Sequence, residues 1–206
     1  MVITSLENEK VKGLVKLQKK KYRDLEGRYV VEGDHLVLEA YKAGVVLELF
    51  ILEGEGYSYD TSVTFVSYEV MKKITVMETV PRIVALCKKN DSGEILGRRI
   101  LLLDELQDPG NLGTIIRSAV AFNIDTIILS ENAVDLYNPK VLRATQGMYN
   151  YVNIIRMNSH DAIARLKDLE ITVYGTNVSR GVDVRSLSSD AKTNFCLVMG
   201  NEGNGV

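Results

Sequence analysis

Five short apolar runs, spaced through the second half of the chain and parted by helical patterns, limit what this sequence can fold into more than any other feature. They read ILLLDEL (100–106), TIILS (126–130), VNIIR (152–156), ITVYGTN (171–177) and FCLVMG (195–200). The segments between them, about 109–122, 138–146 and 159–168, carry helix-like spacing. Strands that are apolar on both faces need cover on both faces, so the alternation predicts an α/β fold with a parallel sheet wrapped by helices. Such sheets bind ligands beyond the carboxyl ends of their strands. That rule directs attention to three loops, at 106–113, 176–183 and 200–205.

The first half alternates less evenly. Val11, Leu14, Val15 and Leu17 recur at helical spacing, predicting one amphipathic helix over 6–21. RYVVEG (28–33), VLELFILE (46–53), VTFVS (63–67) and PRIVALCKK (81–89) read as strands, with helices from Asp34 to about Ala43 and over 68–74. The turn cluster Asn90-Asp91-Ser92-Gly93 places a boundary near residue 95, giving domains 1–95 and 96–206.

A hydrophobic content of 46% supplies a core. No apolar run approaches the ~18–20 residues that span a bilayer. Glu7, Glu9 and Lys10 stand where a signal peptide would be apolar, so a cytoplasmic protein without a membrane partner is expected. Cys87 and Cys196 sit in strand-like runs and read as buried free thiols. They and His35 and His160 lie too far apart in sequence for metal-ligand spacing, and no metal is expected.

The net charge of −2 hides an uneven distribution. Residues 1–28 hold eight Lys and Arg against four acids. Lys19-Lys20-Lys21-Tyr22-Arg23 concentrates cations around an aromatic, a pattern suited to phosphates and equally to a solvated helix face.

Two loops carry the chemistry. Asp108-Pro109-Gly110-Asn111 has an N-cap residue followed by Pro at the first helical position, so a helix starts directly after the strand. Arg117 then interrupts the apolar stretch Ile115-Ile116 and Ala119-Val120; it needs either solvent or an anion, because an unpaired buried guanidinium is costly. The last loop, Gly200-Asn201-Glu202-Gly203-Asn204-Gly205, follows a strand without the dinucleotide-binding glycine spacing. Glu202 disfavours phosphate there and suits a neutral or cationic ligand.

The strand–DPGNLGTIIR–helix unit (108–117) and the terminal VMGNEGNGV resemble the first and second motifs of the SpoU (TrmH-like) branch of the knotted SPOUT methyltransferases. Asn138-Pro139-Lys140-Val141-Leu142-Arg143-Ala144-Thr145-Gln146-Gly147 resembles the family's intermediate motif, with Thr145 where Ser is usual. RYVVEGDHLVLEA is similar to the start of the family's substrate-binding domain, an RNA-binding α/β fold akin to certain ribosomal proteins. The resemblance implies S-adenosylmethionine as cofactor, and a ribose 2′-hydroxyl of RNA, ribosomal ahead of transfer RNA, as acceptor. It implies Asn111, Arg117 and Glu202 as catalytic residues, and Thr176, Gly200, Asn201 and Gly203 as donor-binding residues. Lys140 and Arg143 would join Lys19, Lys20, Lys21 and Arg23 on RNA, in a homodimer. The family's third motif, a Ser-Leu-Asn stretch, is not reached before Val206, so an incomplete knot is expected. Two other readings stay open: a non-catalytic RNA-binding protein that keeps the fold, and an α/β enzyme for a phosphorylated nucleotide.

Overall fold

The computed structural model describes residues 2–90, 93–176 and 181–201. The chain forms two compact units, one of residues 1–90 with 135–150, the other of 91–134 with 151–206.

The first unit holds a five-stranded mixed sheet in the order β1-β4-β3-β5-β2. The strands are β1 (Val2–Ile3), β2 (Arg28–Glu32), β3 (Val46–Leu52), β4 (Val63–Val66) and β5 (Ile83–Lys88). β1 and β3 run parallel to β4, and β5 runs antiparallel to both β2 and β3. Its helices include α1 (Glu9–Lys16), α2 (Lys20–Glu26), α3 (Asp34–Lys42) and α4 (Tyr68–Ile74). Val11 and Leu14 of α1 join Val70, Met71 and Ile74 of α4 over Phe50, Val66 and Val84 in one core cluster.

The single N-terminal helix expected over 6–21 is two helices. α1 starts on Asn8, whose side chain accepts from the Lys10 N–H at 2.9 Å. It ends at Leu17, and Lys19 is extended. The Arg23 guanidinium, from the next helix, donates to the Leu17 and Gln18 carbonyls at 2.8 Å each. Carbonyls at a helix end lack intrahelical partners, and a cation there satisfies them.

Residues 135–150, which the sequence places in the second domain, pack in the first unit. They comprise α6 (Pro139–Thr145) and a 3-10 turn at Met148–Asn150. Arg23 pairs with Asp135 at 2.5 Å, with 5% and 13% of the side chains exposed. Tyr29 of β2 is buried against Tyr137, ring centroids 4.5 Å apart, and its hydroxyl meets that of Tyr149 at 3.0 Å. Burial pushes both phenols well above their ordinary range. Gly147 has φ +83°, and a Cβ there would lie 2.6 Å from the Glu39 Cβ on α3. Both the conformation and the close approach require glycine.

The second unit is an all-parallel sheet in the order β8-β7-β6-β10-β9. Its strands are β6 (Arg99–Leu103), β7 (Thr126–Leu129), β8 (Asn153–Arg156), β9 (Thr172–Gly175) and β10 (Phe195–Met199); its helices are α5 (Pro109–Ala121) and α7 (Ser159–Asp168). Ile100, Leu102, Ile128, Ile155, Cys196 and Val198 pack with Ala162 and Leu166 of α7 on one face. The alternating residues Leu101, Leu103, Ile127 and Leu129 are buried too, which is why the runs are apolar without a break. Cys87 and Cys196 are buried free thiols, pushed up by burial to about 12. Among the described residues no helix is long and apolar enough to cross a membrane.

Candidate active site

In the parallel sheet, β7 and β8 lie to one side of β6, while β10 and β9 lie to the other. Strand order reverses at β6 and β10, and a crevice beyond the carboxyl ends forms at such a reversal. β6 and β10 end in register, Leu103 beside Met199, and the Asp104 N–H continues the pairing onto the Met199 carbonyl at 2.9 Å. The expected strand over 100–106 therefore stops at Leu103.

Three of the donor-binding residues named from the sequence can be placed, and they share this rim. Thr176 follows β9 and turns back on β10, its N–H and hydroxyl both reaching the Val198 carbonyl, at 3.3 and 3.1 Å. Gly200 and Asn201 follow β10, and the Asn201 amide donates to the Glu105 carbonyl at 3.0 Å. Glu202 and Gly203 lie outside the described residues, and the knot expected beyond β10 with them.

Glu105 is the residue that sequence reasoning missed. It has φ +53°, uncommon for a side-chain-bearing residue. Its N–H donates to the Ser130 hydroxyl at 2.7 Å, its carbonyl also accepts from Gln107 at 3.1 Å, and its carboxylate accepts from Asn132 at 3.0 Å. Through Glu105 the loops after β6, β7 and β10 hold one another. Next to it, Asp104 accepts from the Ser159 hydroxyl at the start of α7, at 2.6 Å. Only the polar pair closing an apolar run marked these two positions, and nothing local signals a left-handed glutamate. The rim thus offers two carboxylates, side-chain amides, a hydroxyl and backbone carbonyls, with no Lys or Arg at 104–108, 176 or 200–201. Such groups fit a ligand that carries positive charge and no phosphate.

α5 rises from the same rim. Asp108 caps it, accepting from the Asn111 N–H at 2.7 Å, with Pro109 in the first turn. Leu112, Gly113, Ile116 and Ala119 are buried; Asn111, Thr114, Arg117 and Ser118 are exposed. At about 100° per residue, Asn111 and Arg117 stand ~120° apart, on the solvent half of the helix. Arg117 forms no ion pair or hydrogen bond through its guanidinium among the described residues. Its side chain is open to solvent.

The cations assigned to RNA separate into groups. Lys19, Lys20 and Lys21 are exposed, with Lys20 paired to Asp24 at 3.0 Å. Partial burial pushes the Asp24 carboxyl up, and hydrogen bonds from Lys89 and Lys20 outweigh it, holding it below its usual range. Arg23 is a correction: it is buried, ties α1 to Asp135, and presents nothing to a phosphate. Lys140 is exposed and Arg143 half-buried on α6.

These features define an α/β protein with a rim of carboxylates, amides and carbonyls at a strand-order reversal, and a mixed-sheet unit that carries exposed cations. A model of the SpoU rRNA methylase family matches residues 98–206, and one of the MRM3-like substrate binding domain matches 8–85. The chain belongs to the SpoU rRNA methylase family. It is 34% identical to the Bacillus subtilis 23S rRNA (guanosine(2553)-2′-O)-methyltransferase RlmP, over 99% of this chain and 84% of that protein. To the mouse mitochondrial rRNA methyltransferase 3 it is 31% identical, over 65% of this chain and 36% of that protein. The crystal structure of an rRNA methyltransferase from Sinorhizobium meliloti superposes with a TM-score of 0.86 at 30% identity, covering 100% of this chain and 83% of that one. The same enzyme with S-adenosylmethionine bound superposes with the same score.

Proposed function

We propose that the chain transfers a methyl group from S-adenosylmethionine to a ribose 2′-hydroxyl of RNA, ribosomal RNA ahead of transfer RNA, in the cytoplasm and as a homodimer. The observation that carries this reading is the meeting of Thr176, Gly200, Asn201 and Glu105 at the ends of β9, β10 and β6, with Asn111 and Arg117 on the helix that follows β6. Asn201 and Thr176 would hold the donor with Gly200 and Gly203, and the Asp104 and Glu105 carboxylates favour its cationic groups. The donor supplies an electrophilic methyl on a sulfonium whose sulfur leaves neutral, so the reaction calls for no metal.

Arg117 acts on the acceptor. A guanidinium with a pKa above ~12 cannot take the hydroxyl proton. It stabilises the negative charge that develops on the 2′-oxygen while the proton passes to solvent. Asn111, one turn into α5, positions the ribose, and Glu202 orders the loop between donor and acceptor. Lys19, Lys20, Lys21, Lys140 and Arg143 supply phosphate contacts. Phe122, 77% exposed at the end of α5, offers apolar surface to a second copy.

The test is methyl transfer from labelled S-adenosylmethionine to transcribed 23S rRNA, followed by nuclease digestion and mass analysis of nucleosides. A 2′-O-methylated nucleoside is expected. Label found on a base, or RNA binding without any methyl transfer, would replace this reading with base methylation or with the non-catalytic alternative.

A further inference from the structure

At one end of the mixed sheet two cations face each other, neither in an ion pair among the described residues. Arg28 opens β2, the edge strand, and is in register with Lys88, the last residue of β5. Nearby pairs show the bonding phase: the Lys89 N–H donates to Gly27 O at 2.8 Å and the Gly33 N–H to Ile83 O at 3.0 Å. Bonded and non-bonded pairs alternate along an antiparallel ladder, so Arg28 and Lys88 form a non-bonded pair, the closer kind, with Cα atoms about 4.5 Å apart. Like charges directly opposed in this way repel. Both side chains are exposed, and neither has an ion pair or side-chain hydrogen bond among the described residues. Surrounding cations are neutralised: Lys89 and Lys20 share Asp24, Lys10 reaches Glu48, and Arg23 reaches Asp135. An external anion would relieve the repulsion left at this one place.

Beside the pair lies a groove of about 370 Å³, lined by Gly13, Leu14, Leu17, Phe50 and Leu86, with Arg28 and Glu26 also on its wall. The volume falls within the ~300–1,000 Å³ of small-molecule sites. Leu86 is two residues before Lys88 and shares its face of the sheet. Gly13 stands inside α1, where glycine weakens a helix. A Cβ there would meet nothing within 4 Å, so packing does not demand the glycine; its missing side chain keeps the groove open. The other carboxylates of the wall, Glu9 and Glu48, are taken by Lys12 and Lys10.

We propose that Arg28 and Lys88 bind a backbone phosphate of the RNA substrate, and that the groove receives the adjoining nucleotide. The proposal rests on the reading of the chain as an RNA methyltransferase. The apolar floor takes the face of a base, and the Glu26 carboxylate accepts from a base amino group, as Asp and Glu do from cytosine.

The test is binding of the full chain to a fluorescent single-stranded 12-nucleotide RNA of mixed sequence, titrated across a range of salt concentrations. In R28Q/K88Q the slope of log affinity on log salt should fall by about 0.7, the value for one single-strand phosphate contact, which is roughly fivefold in affinity at 0.1 M salt. Its urea midpoint should hold or rise, because a repulsion has been removed. G13L should weaken binding without changing the slope. K72Q/K73Q, which removes two exposed cations of α4 that have no ion pair among the described residues, should leave the slope as it is. An unchanged slope in R28Q/K88Q, or an equal fall in K72Q/K73Q, overturns the site while leaving the methyltransferase reading intact. A wild-type chain that binds no RNA removes both.

Discussion

Replacing Arg117 by alanine isolates catalysis from folding, because this side chain is exposed and has no hydrogen-bond or ion-pair partner among the described residues. An exposed residue that contacts nothing changes stability by no more than about 0.5 kcal/mol, and alanine is the better helix former. The guanidinium's contribution therefore falls on substrate and transition state and not on the fold. Loss of one positioned donor at a developing oxyanion lowers kcat by about 10²–10³, or ~2.7–4 kcal/mol. Arg117→Lys keeps the charge but not the planar fork, so an intermediate loss is expected. Single-turnover methyl transfer to rRNA at saturating donor reads the rate of the chemical step, and urea unfolding with calorimetric donor binding provides the controls. The expected result is a loss near 10²-fold or greater with an unshifted urea midpoint and unchanged donor affinity. Turnover within about threefold of wild type would remove Arg117 from the mechanism. An equal loss of stability would mean that the helix, and not the charge, had been damaged.

Three further outcomes are expected. Asp135→Ala strands the buried Arg23 guanidinium, and breaking a buried pair from one side costs about 3–5 kcal/mol; a urea-unfolding loss below 1 kcal/mol would mean the pair does not hold the 135–150 segment. Gly147→Ala combines left-handed strain of about 1–2 kcal/mol with overpacking of about 1–3 kcal/mol against Glu39; the same assay should show at least 2 kcal/mol, and a neutral substitution would contradict the close approach. Asn201→Ala deletes the hydrogen bond that ties the loop after β10 to Glu105, so the urea midpoint should fall by the equivalent of about 0.5–1.5 kcal/mol and the S-adenosylmethionine Kd should rise as the proposed donor loop loses its anchor; unchanged Kd in calorimetry would place the donor elsewhere.

Elements built on one periodic pattern were legible in advance. The five apolar runs are the five parallel strands, and in β6 and β7 burial on both faces leaves little choice of residue type. Asp108-Pro109 announced the start of α5 through local capping chemistry alone. What escaped was set by contacts distant in sequence. Nothing between Leu6 and Lys21 reveals that Arg23 will turn back to take the Leu17 and Gln18 carbonyls and divide the helix. For the same reason the cationic cluster around Tyr22, which reads as suited to phosphates or a solvated face, contains one buried arginine. At the rim, Thr176, Gly200 and Asn201 could be named from the family's motifs, whereas Glu105 could not. Its importance lies in a backbone conformation and in partners 25 to 96 residues away.

The routing of residues 135–150 gives these long-range contacts a common cause. After β7 the chain passes from the parallel-sheet unit to the mixed-sheet unit between Val134 and Asp135. An arginine pins it within its own unit on each side of that bond. Before it, Arg156 donates to the carbonyls of Ser130, Glu131, Ala133 and Val134 at 2.6–3.0 Å. After it, Arg23 holds Asp135. Carbonyls in an irregular loop need donors when water is excluded, and a guanidinium with five N–H groups supplies several at once. The cost is a mixed-sheet unit that is incomplete from residues 1–90 alone. Without the segment, Tyr29 would lose the rings of Tyr137 and Tyr149, and Arg23 its carboxylate, exposing an aromatic and a cation that the sheet otherwise buries. The segment also bears Lys140 and Arg143, so the residues that seat it also carry two of the proposed phosphate contacts onto the unit that presents Lys19, Lys20 and Lys21. Within the motif shared with the family, Gly147 serves packing against Glu39, and Lys140 and Arg143 are the cations proposed to meet the RNA.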